Sequence, residues 1–328
     1  MRILHTSHTG LPDPRIERTA MTMKKEGHEM IFLGAGKIKG QGLGSFEETY
    51  YIPILSTFRV ALDPTFKRKW LKMIDKIKPD IIHAHNLVAG AMMLGTEYPV
   101  IYDDHENWGR QLFKYYVRGF ARNLLSQPMV IITPKWEREV LTRYPVITVS
   151  EENRKDHLRY AKHVSITRNF PYLFEVEHLD NPEDRKGNVY VGYDFNHPRF
   201  LPHRDMTGLR EIIDLDVICG LPHKEVMKGL LHYKIGLVPW IPHSYQKYMD
   251  PNKIFEYLHT GLPTVTNEIV KRCVADDPYV YAFKDYGGIK EVIDSIPELD
   301  SGTIMKHART DYIWDKQESI IKDVYKLV

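Results

Sequence analysis

A chain of 328 residues, 43% hydrophobic and 27% charged, has the length of about two domains and an ordinary soluble, globular composition. No apolar run approaches the roughly 20 residues of a spanning helix. Cys219 and Cys273 form no metal or redox motif. The net charge of +2 conceals an asymmetry: residues 1–168 carry 26 Lys and Arg against 18 Asp and Glu, and the remainder carries 19 against 25. A basic first half implies an anionic partner, such as a phosphorylated acceptor, a membrane surface or an acidic glycan.

Short apolar runs alternate with helical patterns, which predicts βα units and parallel sheets. In the first half strands are expected near 2–6, 29–33, 49–53, 80–84, 99–102, 146–149 and 164–167. Helices are expected near 14–26, 64–77, 87–96, 106–124, 134–143 and 151–160. Because Met1-Arg2-Ile3-Leu4-His5-Thr6 reads as a strand rather than a signal peptide, a cytoplasmic setting is expected. Gly34, Gly36, Gly40, Gly42 and Gly44 imitate a dinucleotide fingerprint, but they follow the second strand and lead into no clear helix, so a loop is expected.

His83, His85, Asp103, Asp104 and His105 fall at the C-terminal ends of adjacent predicted strands, where parallel sheets bind ligands. Two imidazoles two residues apart on a strand point the same way, which leaves a metal site open; capping and core hydrogen bonds are the cheaper explanation. Between 108 and 125, Arg110, Lys114, Arg118 and Arg122 recur every fourth residue beside Trp108, Leu112, Phe113, Tyr116, Phe120 and Leu124. That stripe fits either a solvated helix face or peripheral contact with an anionic membrane.

Asn169-Phe170-Pro171 breaks the pattern, and 169–186 reads as a linker between a domain at 1–168 and one at 187–310. The second series has strands near 188–192, 214–219, 234–238, 263–266 and 279–282, and 311–328 carries a helical pattern that includes Trp314, Ile320, Ile321, Val324 and Tyr325. The segment Asp250-Pro251-Asn252-Lys253-Ile254-Phe255-Glu256-Tyr257-Leu258, closed by Gly261-Leu262-Pro263, is expected to be a helix with Asp250 as N-cap and Pro251 in the first turn. Free N–H groups, the positive dipole end and Lys253 would hold a phosphate there. Glu256 shares a face with Lys253, so a ring hydroxyl could be gripped together with the phosphate; by spacing alone an ordinary capped helix with a surface Lys–Glu pair fits as well.

These motifs resemble family-4 retaining glycosyltransferases, which have the GT-B fold. The resemblance rests on Pro251-Asn252-Lys253-Ile254-Phe255-Glu256-Tyr257 before Gly261-Leu262-Pro263, and on the Ser7-His8-Thr9-Gly10 loop with Asp13-Pro14-Arg15. Asp80-Ile81-Ile82-His83-Ala84-His85, Tyr102-Asp103-Asp104-His105-Glu106 and Val146-Ile147-Thr148-Val149-Ser150-Glu151 follow in family order. It implies two Rossmann-like domains with parallel sheets facing across a cleft, and a C-terminal helix at 311–328 packed back on the first domain. It implies transfer of a hexosyl or related group from a nucleotide-sugar to a glycan, lipid-linked or other acceptor, with retention of configuration. No cofactor, no obligatory metal and no nucleic-acid partner are expected.

By residue, the resemblance makes His105 and Lys253 catalytic. It gives donor binding to Gly10, Asn252, Lys253 and Glu256, and to one of Arg199 or Arg204. The family's first glutamate would fall at Tyr248, which puts in doubt how the transferred sugar is held. A sugar-nucleotide epimerase of the same fold and a non-catalytic nucleotide- or glycan-binding protein are the alternatives.

Overall fold

The computed structural model describes residues 1–36, 42–53, 63–110, 120–182, 184–192, 206, 208–274 and 276–328, with no side chains for 120–130. The chain divides into two compact units, Met1–Arg168 with Lys316–Val328, and Asn169–Asp315. The segment 169–186, expected as a linker, belongs to the second unit, where Phe170, Val176 and Leu179 are part of the buried core.

The first unit holds strands β1 (Arg2–Ser7), β2 (Glu29–Ala35), β3 (Glu48–Ile52), β4 (Ile81–His85), β5 (Val100–Asp104), β6 (Val146–Thr148) and β7 (Val164–Ile166). They form one parallel sheet in the order β3-β2-β1-β4-β5-β6-β7. Helices α1 (Pro14–Lys25), α2 (Pro64–Ile77), α3 (Asn86–Met93), α4 (Phe120–Arg143) and α5 (Glu151–His157) join them. Asp13 and Asp63 start α1 and α2 in the same way: each carboxylate accepts two N–H groups of the first turn, and a proline follows. Sequence patterning placed separate helices near 106–124 and 134–143. The backbone instead runs as one helix through Pro128 and Pro134.

Every residue of β4 and β5 is buried, as expected for strands covered on both faces. Ile82 and Ala84 of β4 join Leu4, Trp70, Ile74 and Leu87 in the core under α2 and α3. Alternation along the strand turns His83 and His85 to the opposite face.

The second unit holds β8 (Asn188–Val191), β9 (Asp216–Ile218), β10 (Ile235–Val238), β11 (Thr264–Asn267) and β12 (Val280–Phe283), in the parallel order β12-β11-β10-β8-β9. Its helices include α6 (Leu173–Val176), α7 (Leu209–Ile212), α8 (His223–Leu230), α9 (Asn252–His259), α10 (Glu268–Lys271), α11 (Ile289–Ser295) and α12 (Ser301–Asp311). The last helix, α13 (Glu318–Tyr325), belongs to the first unit, with Ile321, Val324 and Tyr325 buried. No described helix is long and apolar enough to cross a membrane.

In both sheets the chain reverses its direction of travel once, between β1 and β4 in the first and between β8 and β10 in the second. Such switch points leave a crevice at the carboxyl ends of the strands. In the second sheet one side chain holds that crevice open. The β8–β10 ladder pairs Asn188 with Ile235 and Val189 with Gly236, and no further. Beyond it the Tyr257 hydroxyl of α9 sits between the strands, accepting from the Val191 N–H at 2.9 Å and donating to the Leu237 carbonyl at 3.0 Å. The ring passes over Gly236, where a Cβ would lie 2.3 Å from it. Tyr257→Phe would leave the Val191 and Leu237 groups without their partner, a cost of about 1–3 kcal/mol. Urea denaturation should show a loss of that size, whereas an unchanged midpoint and slope would mean that water or the ladder replaces the hydroxyl.

Candidate functional site

α9 begins at the second switch point. Its N-cap is Pro251, with no capping side-chain hydrogen bond. This corrects the expected role of Asp250, whose carboxylate instead accepts the Asn169 N–H at 2.7 Å while its carbonyl accepts from the Asn169 side chain at 2.9 Å. The reason is geometric: with proline as N-cap, Asp250 lies one residue too early to reach the first-turn amides and is drawn to the break at Asn169. The helix mouth is therefore closed by no side chain of its own cap. Gly261, at φ +78°, ends the segment as expected.

Lys253, in the first turn of α9, extends its ammonium over two ring faces, Tyr190 of β8 and Trp240 just past β10, each 5.8 Å from the ring centroid. Both rings are buried. The charge thus stands at the switch point, and among the described residues no acidic group pairs with it. Glu256, one turn further on, meets the His223 ring of α8 at 3.1 Å. Asn252 is exposed at the helix mouth. Arg199 and Arg204, the expected basic partners of the diphosphate, lie outside the described residues. Tyr248, at the position of the missing glutamate, is buried in the 3-10 turn Ser244–Tyr248 that precedes α9.

The first unit builds a different kind of site at its own switch point. The β1–β4 register sets His5 beside His83 and Ser7 beside His85, and the β4–β5 register sets His85 beside Asp103. His5, His83, His85 and Asp103 are wholly buried. Arg15 of α1 clamps Asp103 with Nε at 3.1 and 3.2 Å from its two oxygens and Nη2 at 2.7 Å. The same guanidinium donates to the Thr167 carbonyl at 2.9 Å and hydroxyl at 2.8 Å. Burial would raise the Asp103 pKa, but Arg15 and the surrounding imidazoles hold it well below the usual carboxylate value. Burial pushes the pKa values of His5 and His85 well below the usual imidazole value and lowers that of His83, so all three are neutral near pH 7.

His105 follows β5 and is the partly exposed member of the group, its Nε2 3.0 Å from His85 Nδ1 and 3.5 Å from Asp103 Oδ2. The loop after it is pinned: Glu137 accepts the Gly109 N–H at 3.0 Å, and Asn107 donates to Asn153 at 3.0 Å. Burial next to Asp104 raises the Glu137 pKa to about 7. Asp104 accepts from Tyr102 at 2.8 Å and lies 2.7 Å from His157 Nε2, which makes it a core anchor. Gly10, half-buried, follows β1 in the same unit.

The histidines could be taken for a metal site, because ligand atoms of His5, His83 and His85, and of His85, Asp103 and His105, lie within 4.8 Å of one another. The contact between His5 and His85 has the geometry of a hydrogen bond. His5 Nδ1 and His85 Nε2 face each other at 2.8 Å, with ring centroids 5.1 Å apart and planes 21° apart, so the rings meet end to end. Two nitrogens on one zinc ion, at about 2.0–2.1 Å each, need a wider separation and lone pairs that converge on a third point.

Sequence reasoning did not find His5, Arg15 and Tyr325 as members of this group, nor His223, Tyr190 and Trp240 around α9. Strand register supplies the first and the crossing of α9 over its sheet the second, and neither is visible in spacing along the chain. Of the basic stripe, Arg110 pairs with Asp156 at 2.8 Å and Trp108 packs against the first core. Lys114 and Arg118 lie outside the described residues, and nothing is described of the Arg122 side chain.

Residues 15–163 match the family model described as Glycosyltransferase Family 4. No curated protein matches the sequence. The fold is similar to that of sucrose-phosphate synthase from Thermosynechococcus elongatus, at 13% identity and a TM-score of 0.69 over 99% of this chain and 98% of that one. It is similar to WaaG, a glycosyltransferase involved in lipopolysaccharide biosynthesis, at 13% identity and a TM-score of 0.65 over 97% and 99%. It is also similar to Anabaena HepE in complex with UDP-glucose, at 11% identity and a TM-score of 0.66 over the whole of both chains. At these identities the likeness shows the fold, which is GT-B.

The buried Arg15–Asp103 pair differs in kind from exposed pairs such as Lys25–Glu318 at 2.6 Å. Arg15→Met would leave a carboxylate buried without its partner and should cost about 3–5 kcal/mol in denaturant titration. Lys25→Met should cost under about 1 kcal/mol. Because the Asp103 pKa is depressed on folding, its contribution is present above the unfolded value of about 3.9 and is lost as pH falls toward the folded value. Equal losses for the two variants would contradict the burial-based account.

Proposed function

We propose that this GT-B chain, whose residues 15–163 match the model of glycosyltransferase family 4, transfers a sugar from a nucleoside-diphosphate sugar to an anionic or lipid-linked acceptor with retention of configuration. The observation that carries the donor assignment is Lys253: an ammonium at the switch point of the second sheet, in the first turn of a helix whose cap has no side-chain hydrogen bond, over two aromatic faces. The N–H groups of such a helix mouth and its dipole favour a phosphate, and the ammonium adds a full charge. The UDP-glucose and UDP complexes of HepE support a nucleotide-sugar as the class of donor.

In this mechanism the diphosphate is the leaving group. Charge builds on it as the glycosidic bond breaks, and a fixed cation placed there in advance stabilises the transition state more than the ground state. Lys253 supplies that cation, with Asn252 at the same mouth and Arg199 or Arg204 as a second basic partner. Glu256 accepts from the ribose hydroxyls, with His223 orienting its carboxylate. His105 hydrogen-bonds the transferred sugar, beside Gly10. The excess of basic residues in the first half attracts the acceptor. No step requires a metal ion.

Tyr248 favours a second reading, a nucleotide- or glycan-binding protein without turnover, because a buried tyrosine replaces the glutamate expected to hold the sugar. Release of free nucleotide that depends on an acceptor excludes both this reading and an epimerase.

Lys253→Ala should lower kcat by about 10²–10³ and weaken donor binding as well, measured by steady-state kinetics on folded protein. Wild-type turnover in that variant would remove Lys253 from the donor site. His105→Ala should lower kcat at least tenfold, equivalent to roughly 1.4 kcal/mol of barrier, with little change in nucleotide affinity. A parallel fall in both would assign His105 to folding alone. EDTA should leave most of the activity in place; complete loss restored by Mn²⁺ or Mg²⁺ would overturn the metal-free mechanism.

A further inference from the structure

The polar groups behind His105 form a chain of close contacts whose far end, His83 Nε2, faces Asp103 without a hydrogen-bond partner among the described residues. His83 Nε2 lies 3.6 Å from Asp103 Oδ2, and His83 Nδ1 lies 2.8 Å from the Tyr325 hydroxyl. The same hydroxyl lies 3.4 Å from His5 Nε2. His5 Nδ1 lies 2.8 Å from His85 Nε2, and His85 Nδ1 lies 3.0 Å from His105 Nε2. Tyr325 is contributed by α13, more than two hundred residues after the last of the histidines.

A neutral imidazole has one N–H and one lone pair, and a phenol has one proton. His5, His83 and His85 are buried and neutral, and burial raises the Tyr325 pKa well above its usual value, so the phenol keeps its proton. The fixed charge beside the chain is Asp103, whose Oδ2 lies near His83 Nε2 and near the His85–His105 contact. Asp103 is ionised, and a lone pair on His83 Nε2 would face that carboxylate, so the proton of His83 belongs on Nε2. His83 Nδ1 is then an acceptor and takes the Tyr325 proton. Tyr325 can only accept from His5, so His5 carries its proton on Nε2. His5 Nδ1 accepts from His85 Nε2–H, and His85 Nδ1 accepts from His105 Nε2–H. The opposite polarity satisfies the same contacts but sets a lone pair against the Asp103 carboxylate. Asp103 also lies 3.4 Å from His85 Nδ1 and 3.5 Å from His105 Nε2, but these two nitrogens share one proton in either polarity and do not break the tie.

We propose that Asp103, acting through His83, Tyr325, His5 and His85, sets the tautomer of His105, so that its neutral ring is protonated on Nε2 and offers Nδ1 as a hydrogen-bond acceptor. Tyr325, His83, His5 and His85 are positioning residues. For the reaction, and resting there on the proposed function, this means that His105 accepts a hydrogen bond from a sugar hydroxyl rather than donating one to it. The ordering also gives the C-terminal helix a purpose beyond packing, since its tyrosine joins His83 to His5.

The test is nitrogen NMR on the full chain labelled with ¹⁵N-histidine, without substrate, so that it stands apart from whether the protein is a transferase. His105 is assigned by the signals that His105→Gln removes. In the wild type with the ring neutral, Nε2 should give the protonated-type shift and Nδ1 the unprotonated-type shift. Protonation on Nδ1 would overturn the proposal outright. Tyr325→Phe removes the link without removing the ring, and His105 should then move toward a mixture of tautomers. A His105 tautomer unchanged in folded Tyr325→Phe would also overturn it. In a variant that does turn over, kcat should fall while nucleotide affinity, set in the second unit, stays as it was.

Discussion

A hydroxyl group at the Tyr257 position keeps two strands apart. β8 and β10 pair for two residues and then separate, and the phenol completes the hydrogen bonds that the ladder abandons at Val191 and Leu237. A buried N–H and carbonyl left unpaired would cost more than the separation gains, so the opening exists only because the tyrosine fits. The fit depends in turn on Gly236, the one side chain small enough for the ring to lie against the strand. The donor site proposed for this unit rests on that opening. α9 is fixed over the gap, its first turn faces the crevice, and Lys253 stands over Tyr190 and Trp240 at the two sides of it.

The first unit meets the same topological situation with the opposite chemistry. Its switch point, between β1 and β4, is filled by imidazoles around an ionised aspartate rather than left open beside a lysine. Burying five titratable groups together is tolerable because the charge is confined to one carboxylate and one guanidinium in bidentate contact, and the histidines are neutral. The result is a rigid polar block with one partly exposed end, His105. One unit thus presents a lysine beside a helix mouth, and the other a buried polar cluster with one partly exposed histidine.

The strand pattern was legible throughout. Buried parallel strands read as short apolar runs, and all twelve expected strands are present within a residue or two. The Asp-Pro starts of α1 and α2 were legible because the cap and the proline act locally. The same logic misled at Asp250-Pro251, where the helix starts one residue later and Asp250 is held by Asn169, a contact across eighty-one positions. α4 runs through two prolines that local rules count as breaks. Of the candidate site, the placement of Lys253 and Glu256 on one short helix was legible from their spacing. His105 stood out as a polar residue at a strand end. His5 and Tyr325 were not, because a lone histidine in a strand and a tyrosine in an amphipathic helix look like core until strand register and the return of the last helix bring them together.

The central claim is that the second unit binds a nucleoside diphosphate through Lys253 and the mouth of α9. Calorimetric titration of UDP into the full chain, beside the Lys253→Glu variant, tests it most directly, since it needs neither the acceptor nor the identity of the sugar. Saturable binding to the wild type, lost in a variant that remains folded, is the predicted result. Binding of equal strength to both proteins would contradict the account.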